Sequence, residues 1–392
     1  MWLRDSSAQT IPYTRFAKMY PILRNRIAGV VERNARAIDV DVYANAFQAS
    51  YHTWERKWEV DSIAWPVLLA ANYLQETGDR SIFTPEFHVA LVQIQHAFEC
   101  EQHHATCSLY RYPYHVYTDN TFNPDTGLIW CGFRPSDDPV QYRYNIPQNM
   151  LAVVALREIA YLARAGYADE YLAQRAHATE ASVTTAVLRY GIVWDTDLQS
   201  WTYVYETDGY HRYTLIDDAN IPNLTAAPYI DWSSVWDPTY LATRAWTLSS
   251  KNPWYFRGRY ARGLGSVHTP YGYVWPLGII ARALTSTSSR EISDSITTLA
   301  ETDSESGMIH ESFYPDGYWR YTRAEFGWAN ALFSELLFRT VAGFPSSPFV
   351  RDGVIIPFEQ RSVTPNLVPP SIEIYNASDI VGTLGRLLQE GR

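Results

Sequence analysis

The chain has 392 residues, enough for one large domain or two ordinary ones. Hydrophobic residues make up 46% and charged residues 19%, which supplies a sizeable core and excludes disorder along the whole length. Lys and Arg number 32 against 42 Asp and Glu, a formal net charge of −10. With no Lys/Arg-rich run to offset it, that balance speaks against a nucleic-acid partner.

Apolar residues at three-to-four spacing predict helices over 21–38, 62–76, 85–101, 147–165 and 167–190. Four more follow over 238–249, 274–286, 289–301 and 325–342. Pro21, Pro85, Pro147 and Pro238 stand near the proposed starts, where a missing N–H does little harm. Gly78, Gly166 and Gly343 stand just past proposed ends, as C-cap glycines do. Strand signals are local: Trp201–Tyr205, Asp208-Gly209 and Tyr210–Leu215 read as one hairpin. Strands do not alternate with helices, so a Rossmann-like or α/β-barrel fold is not expected. Helices joined by long connections suit a closed ring of helical hairpins, with inner helices pointing Trp65 and Trp275 inward and the loops gathered at one end. From residue 344 the sequence is Pro-rich and aperiodic (Phe344-Pro-Ser-Ser-Pro, Pro357, Pro365, Pro369-Pro370). The expected organisation is one all-α domain over 1–343 and a C-terminal extension over 344–392.

Aromatic residues reach 15%, with 14 Trp and 29 Tyr, a content that serves helix packing and sugar stacking alike. The three cysteines, Cys100, Cys107 and Cys131, form neither a disulfide framework nor a zinc pattern, and spacing alone does not establish a Cys100–Cys107 bridge. No apolar run reaches the ~18 residues of a membrane span. Met1-Trp2-Leu3-Arg4-Asp5 lacks the basic start and apolar stretch of a signal peptide, and the sequons at Asn223 and Asn376 are triplets frequent by chance, so the compartment stays open. His103-His104 reads as a solvated helix end, lacking the spaced partners of a metal site. Gly263-Leu-Gly265 lacks the strand and third glycine of a dinucleotide loop.

Charged residues gather with aromatics between the helices. The segments are Met1–Gln9 (MWLRDSSAQ), Trp54–Ser62 (WERKWEVDS), Gly127–Asp138 (GLIWCGFRPSDD) and Ile216–Leu224 (IDDANIPNL). They continue with Gly263–Pro270 (GLGSVHTP), Gly307–Phe313 (GMIHESF) and Tyr321–Asn330 (YTRAEFGWAN). In this order they resemble glycoside hydrolase family 125, the metal-independent exo-α-1,6-mannosidases, from Met1 to about Arg339. The resemblance implies an (α/α)6 barrel, an inverting glycosidase acting on terminal α-mannose of a glycan, and no cofactor or metal. Members of that family normally carry a further helical segment before Trp-Leu-Arg-Asp-Ser, so the resemblance also implies a barrel incomplete at its N-terminus, with apolar surface under-covered beside Trp2 and Leu3.

Glycoside hydrolysis needs one carboxylic acid to protonate the leaving oxygen and a second carboxylate opposite it; for direct attack by water the two stand roughly 6.5–9.5 Å apart. By the resemblance the acid is Asp138 and the base Glu311. Read without it, Asp137 and Asp138 are turn or cap residues, and Glu311 a helix-start glutamate. Asp137 is the rival acid and Glu325 the rival base, although relatives carry Glu where this chain has Ala324. Arg4, Asp5, Arg134, Asp137, Asp217, Asp218, Asn220 and His268 are the candidate sugar ligands, since vicinal hydroxyls suit bidentate carboxylate and guanidinium contacts. For Asp217-Asp218 capping stands beside the ligand reading, and for His268 a satisfied core role does. Two other functions stay open: a mannoside-binding relative without turnover, and a helical-barrel glycosidase for another sugar.

Overall fold

The structure is a computed structural model that describes residues 1–112 and 121–342. The Pro-rich extension expected over 344–392, and Gly343 as a helix stop, lie outside the described residues.

All nine expected helices are present. The first five are Pro21–Val40, Val60–Thr77, Pro85–Gln102, Ile146–Leu162 and Glu170–Tyr190. The other four are Pro238–Thr247, Pro276–Leu284, Ser289–Glu301 and Gly327–Ala342. Pro21, Pro85, Pro147 and Pro238 each sit in a first turn, where their missing N–H breaks no helical bond. Side-chain caps set several starts: Thr84, Asn145, Asp169, Asp237 and Ser288 each accept a backbone N–H from the first turn.

Gly78 ends its helix as expected, in the left-handed region at φ +68°. Gly166 does not. It lies inside a π-turn, Ala163–Tyr167, and the left-handed stop is Ala168 at φ +52°. The reason for glycine there is contact, because a Cβ on Gly166 would stand 2.1 Å from the Phe83 ring.

By their internal contacts the described residues sort into two compact units, the first within 1–216 with 220–223, the second 217–219 with 224–342. In the first, Val60–Thr77 is buried on every side from Val60 to Leu74, and Ile146–Leu162 is nearly so. A helix apolar all round belongs in an interior. These two pack on each other, and the amphipathic Pro21–Val40 and Glu170–Tyr190 pack against them. Full burial of one such side chain, Leu68, contributes about 1.5–3 kcal/mol. In the second unit Pro276–Leu284 is wholly buried and packs on Ser289–Glu301 and Gly327–Ala342. Trp65 and Trp275 are both buried, as expected for inner helices. Leu3, expected beside under-covered surface, is fully buried, while Trp2 is partly exposed.

The strands are short antiparallel hairpins at helix ends. The expected Trp201–Leu215 hairpin is divided between two: Ser200–Tyr203 pairs back with Ile192–Asp195, while Glu206–Thr207 pairs with Tyr213–Thr214 and Tyr144–Asn145. Asp208-Gly209 does supply the second turn, with Gly209 at φ +76°. Three more hairpins, 46–47/53–55, 255–257/262–264 and 313–314/317–321, are too short to show alternation in sequence.

Candidate active site

Arg4, in the Met1–Gln9 segment expected between helices, lies on a short helix of its own, Leu3–Ala8. Its guanidinium donates from Nη1 to Glu59 Oε2 at 2.9 Å and Asp61 Oδ2 at 3.3 Å, and from Nη2 to Asp137 Oδ1 at 2.5 Å. Asp5 Oδ2 stands 3.7 Å from Arg4 Nε. Glu59 and Asp61 open the buried helix Val60–Thr77 and are themselves out of contact with water. Burial and the charge of Asp137 push the Glu59 carboxyl well above the usual carboxylate range despite Arg4. Burial raises Asp61 to about 6 against the pull of Arg4. At Asp137 burial is outweighed by Arg4, by a hydrogen bond with Glu59 and by Lys57, so its carboxyl sits below the ordinary value.

Asp137 and Asp138 stand on a tight turn outside any helix. Asp137 N–H donates to Arg134 O at 2.9 Å, and Arg134 N–H donates to Asp138 O at 2.7 Å. Asp137 takes φ +65°, a left-handed conformation that Asp tolerates better than most residues. The Arg134 fork grips Glu206, Nε to Oε1 at 2.6 Å and Nη2 to Oε2 at 3.1 Å, and Glu206 Oε2 also accepts from the N–H groups of Gln141 and Tyr142. The turn is thus held at Arg134 by Glu206 and at Asp137 by Arg4, with Asp138 half-buried at its end.

Glu311 directly precedes the 313–314/317–321 hairpin, and both residues past its second strand reach back to it. Thr322 Oγ1 donates to Glu311 Oε2 at 2.8 Å, and Arg323 Nε stands 3.2 Å from Oε1. Glu311 is buried, whereas its rival Glu325 is exposed. Next to it, His310 is stacked on Tyr321 at 4.1 Å and its Nδ1 pairs with the Ala324 carbonyl.

In the 216–224 segment the capping alternative describes Asp217. Oδ1 accepts from Leu224 N–H at 2.8 Å, and Oδ2 accepts from Thr225 N–H at 3.0 Å and Thr225 Oγ1 at 2.7 Å. Burial raises its carboxyl to about 7 against the pull of those donors. Asp218 and Asn220 are buried nearby in sequence, across a loop that includes a cis Ile221–Pro222 bond. His268 is exposed, with its ring 6.3 Å from that of Trp275. The Asn223 sequon is fully buried.

Glu59, Asp61 and Glu206 were not singled out from the sequence. The first two lie in the quoted Trp54–Ser62 segment, whose density of acids was the available signal; Glu206 carries none. His104, expected as a solvated end, is largely covered. Its ring stacks on Trp130 at 3.7 Å and its Nδ1 is 2.6 Å from Glu101 Oε2, within a loop closed by a Cys100–Cys107 disulfide. A cavity of about 590 Å³ lined by His103, Asp125, Gly127, Ser182 and Arg189 includes none of the expected site residues.

Comparison with known proteins adds three observations. Residues 1–338 match the family described as metal-independent alpha-mannosidase, GH125. The meiotically up-regulated gene 157 protein of Schizosaccharomyces pombe is 32% identical over 379 residues, covering 86% of this chain and 74% of that protein. A Streptococcus pneumoniae metal-independent α-mannosidase, solved as a non-productive substrate complex with α-1,6-mannobiose, is 36% identical with a TM-score of 0.82, covering 86% of this chain and 85% of that one. A bacterial glucoamylase complexed with acarbose shares the fold alone, at 13% identity and TM-score 0.62 over 86% of this chain and 48% of the other. The fold class is therefore the all-α six-hairpin (α/α)6 class expected from the sequence. With its seven motifs in order and a family match over nearly all the described residues, the chain belongs to the metal-independent α-mannosidases of glycoside hydrolase family 125.

Proposed function

We propose that this α-mannosidase removes terminal, non-reducing α-1,6-linked mannose from glycans with inversion, Asp138 acting as general acid and Glu311 as general base. The observation that carries the choice of acid is the contact between Arg4 and Asp137. A carboxylate held at 2.5 Å by a buried guanidinium stays ionised at neutral pH and has no proton to give, which leaves the role to its neighbour. Glu311 suits a base because it is buried and oriented by Thr322 and Arg323. The linkage preference rests on the α-1,6-mannobiose bound by the S. pneumoniae relative. Asp5, Asp218, Asn220 and His268 remain the sugar ligands in this reading, while Arg4, Arg134, Asp137 and Asp217 hold the loops that carry the chemistry.

Proton NMR of a digest of α-1,6-, α-1,3- and α-1,2-mannobiose tests linkage and stereochemistry together. The expected result is cleavage of the 1,6-linked sugar with β-mannose formed first; α-mannose formed first would sink the inverting assignment. Asp138→Asn and Glu311→Gln should each lower kcat by about 10²–10⁴-fold, the usual contribution of a positioned acid or base. Near-normal turnover in either variant would move that role to Asp137 or Glu325.

A further inference from the structure

The Arg134–Asp138 turn is closed by its own backbone bonds and flanked by a Phe133–Pro139 bridge, and the side-chain grips at Arg134 and Asp137 add to that hold. The grip at Asp137 has an unusual charge balance. One guanidinium faces four carboxyl groups, Asp5, Glu59, Asp61 and Asp137, and Glu59 and Asp61 are 1% and 0% exposed. Lys57, which also acts on Asp137, has its ammonium 3.0 Å from Glu55. If all of these carboxylates were ionised around Arg4, negative charge would be left uncompensated away from water; a proton on one of them relieves it. Glu59 Oε2 and Asp137 Oδ1 accept from the two amino groups of the same guanidinium, and two carboxyl groups brought together in this way can bond to each other only through a proton. Asp137 makes the shortest of these contacts with Arg4 and is more exposed than Glu59, so it stays the anion and the proton belongs to Glu59. Ser62 Oγ and Asn45 Nδ2 contact the remaining faces of the Glu59 carboxyl, at 2.8 Å and 3.4 Å.

We propose that Glu59 is a positioning residue: a neutral carboxylic acid that donates to Asp137 and, together with Arg4, fixes the turn so that Asp138 meets the glycosidic oxygen. This rests on the reading of Asp138 as the acid, and the experiment separates the two.

Glu59→Ala, Glu59→Gln, Asp137→Asn and Asp138→Asn are assayed on α-1,6-mannobiose and on 2,4-dinitrophenyl α-mannoside. The first has a leaving group that needs a proton; the second leaves without one. Misplacing the acid therefore damages only the first reaction, whereas general loosening of the fold damages both. Glu59→Ala and Asp137→Asn should lose about 10²-fold or more on mannobiose and keep most activity on the dinitrophenyl substrate. Glu59→Gln, whose amide still donates to Asp137, should stay close to the parent on both. Equal losses of Glu59→Ala on both substrates, or no loss on either, would overturn the proposal. A Glu59→Gln variant as impaired as Glu59→Ala on mannobiose would overturn the donor role. If Glu59→Ala does not fold, Asp137→Asn reads the same split, since Asn also tolerates the left-handed turn. An Asp138→Asn variant without the split refutes the acid assignment itself, whatever Glu59 does.

Discussion

At the scale of single residues, the buried carboxyl of Asp217 makes a prediction about pH. Its pKa is about 7 in the folded chain, against about 4 for an unfolded aspartate. The native state therefore holds this proton through a range where the unfolded state has released it. The contribution to stability is fully present below about pH 4 and falls as pH rises towards 7. Urea unfolding at pH 4, 5.5 and 7 should show a shallower loss of stability in Asp217→Asn than in the parent; parallel curves would remove Asp217 as the source. At pH 7 the same variant should be less stable by about 1–3 kcal/mol, because an amide has one acceptor oxygen where the two carboxyl oxygens accept from three donors. None of this was legible from Asp217-Asp218 as letters, where capping and sugar binding stood level. The choice depends on which N–H groups the chain brings back, and those of Leu224 and Thr225 arrive by a loop whose path local sequence does not specify. The acids of the Trp54–Ser62 segment were visible as a cluster, but not their convergence on Arg4 from 55 and 57 positions away.

At the scale of elements, helices were legible because each carries its own apolar period, and several add a proline in the first turn or a capping side chain. The two-residue strands were not, since they contain too few residues to alternate and owe their pairing to partners elsewhere. The two glycines past helix ends show the same difference. Gly78 is required by its φ and has open space around it, so Gly78→Ala should cost about 1 kcal/mol. Gly166 is required by the Phe83 ring, so Gly166→Ala should cost more, about 1–3 kcal/mol from overpacking, and Gly166→Ala with Phe83→Leu should recover part of it. Thermal unfolding of the three variants decides this. The Cys100–Cys107 bridge closes a short loop, for which loop-closure entropy gives about 2–3 kcal/mol. Cys107→Ser should lower stability by about that much under oxidising conditions and match the parent in excess reductant.

At the scale of the whole molecule, fold class and family were both legible, because the motifs between the helices keep their order over most of the chain. Activity on an α-mannoside should persist in EDTA; loss restored by calcium would refute the reading. The molecule also bears a constraint on how its sequence can change. Position 137 must accept a left-handed backbone, which admits Gly, Asn and Asp readily, and must present a carboxylate to Arg4, which admits Asp and Glu. Only aspartate belongs to both sets. A lineage that replaces it has no neutral intermediate: Asn keeps the backbone and abandons the charge, and Glu keeps the charge and strains the backbone. Change at this turn would have to be coordinated, with Arg4 and Asp137 altered as one character.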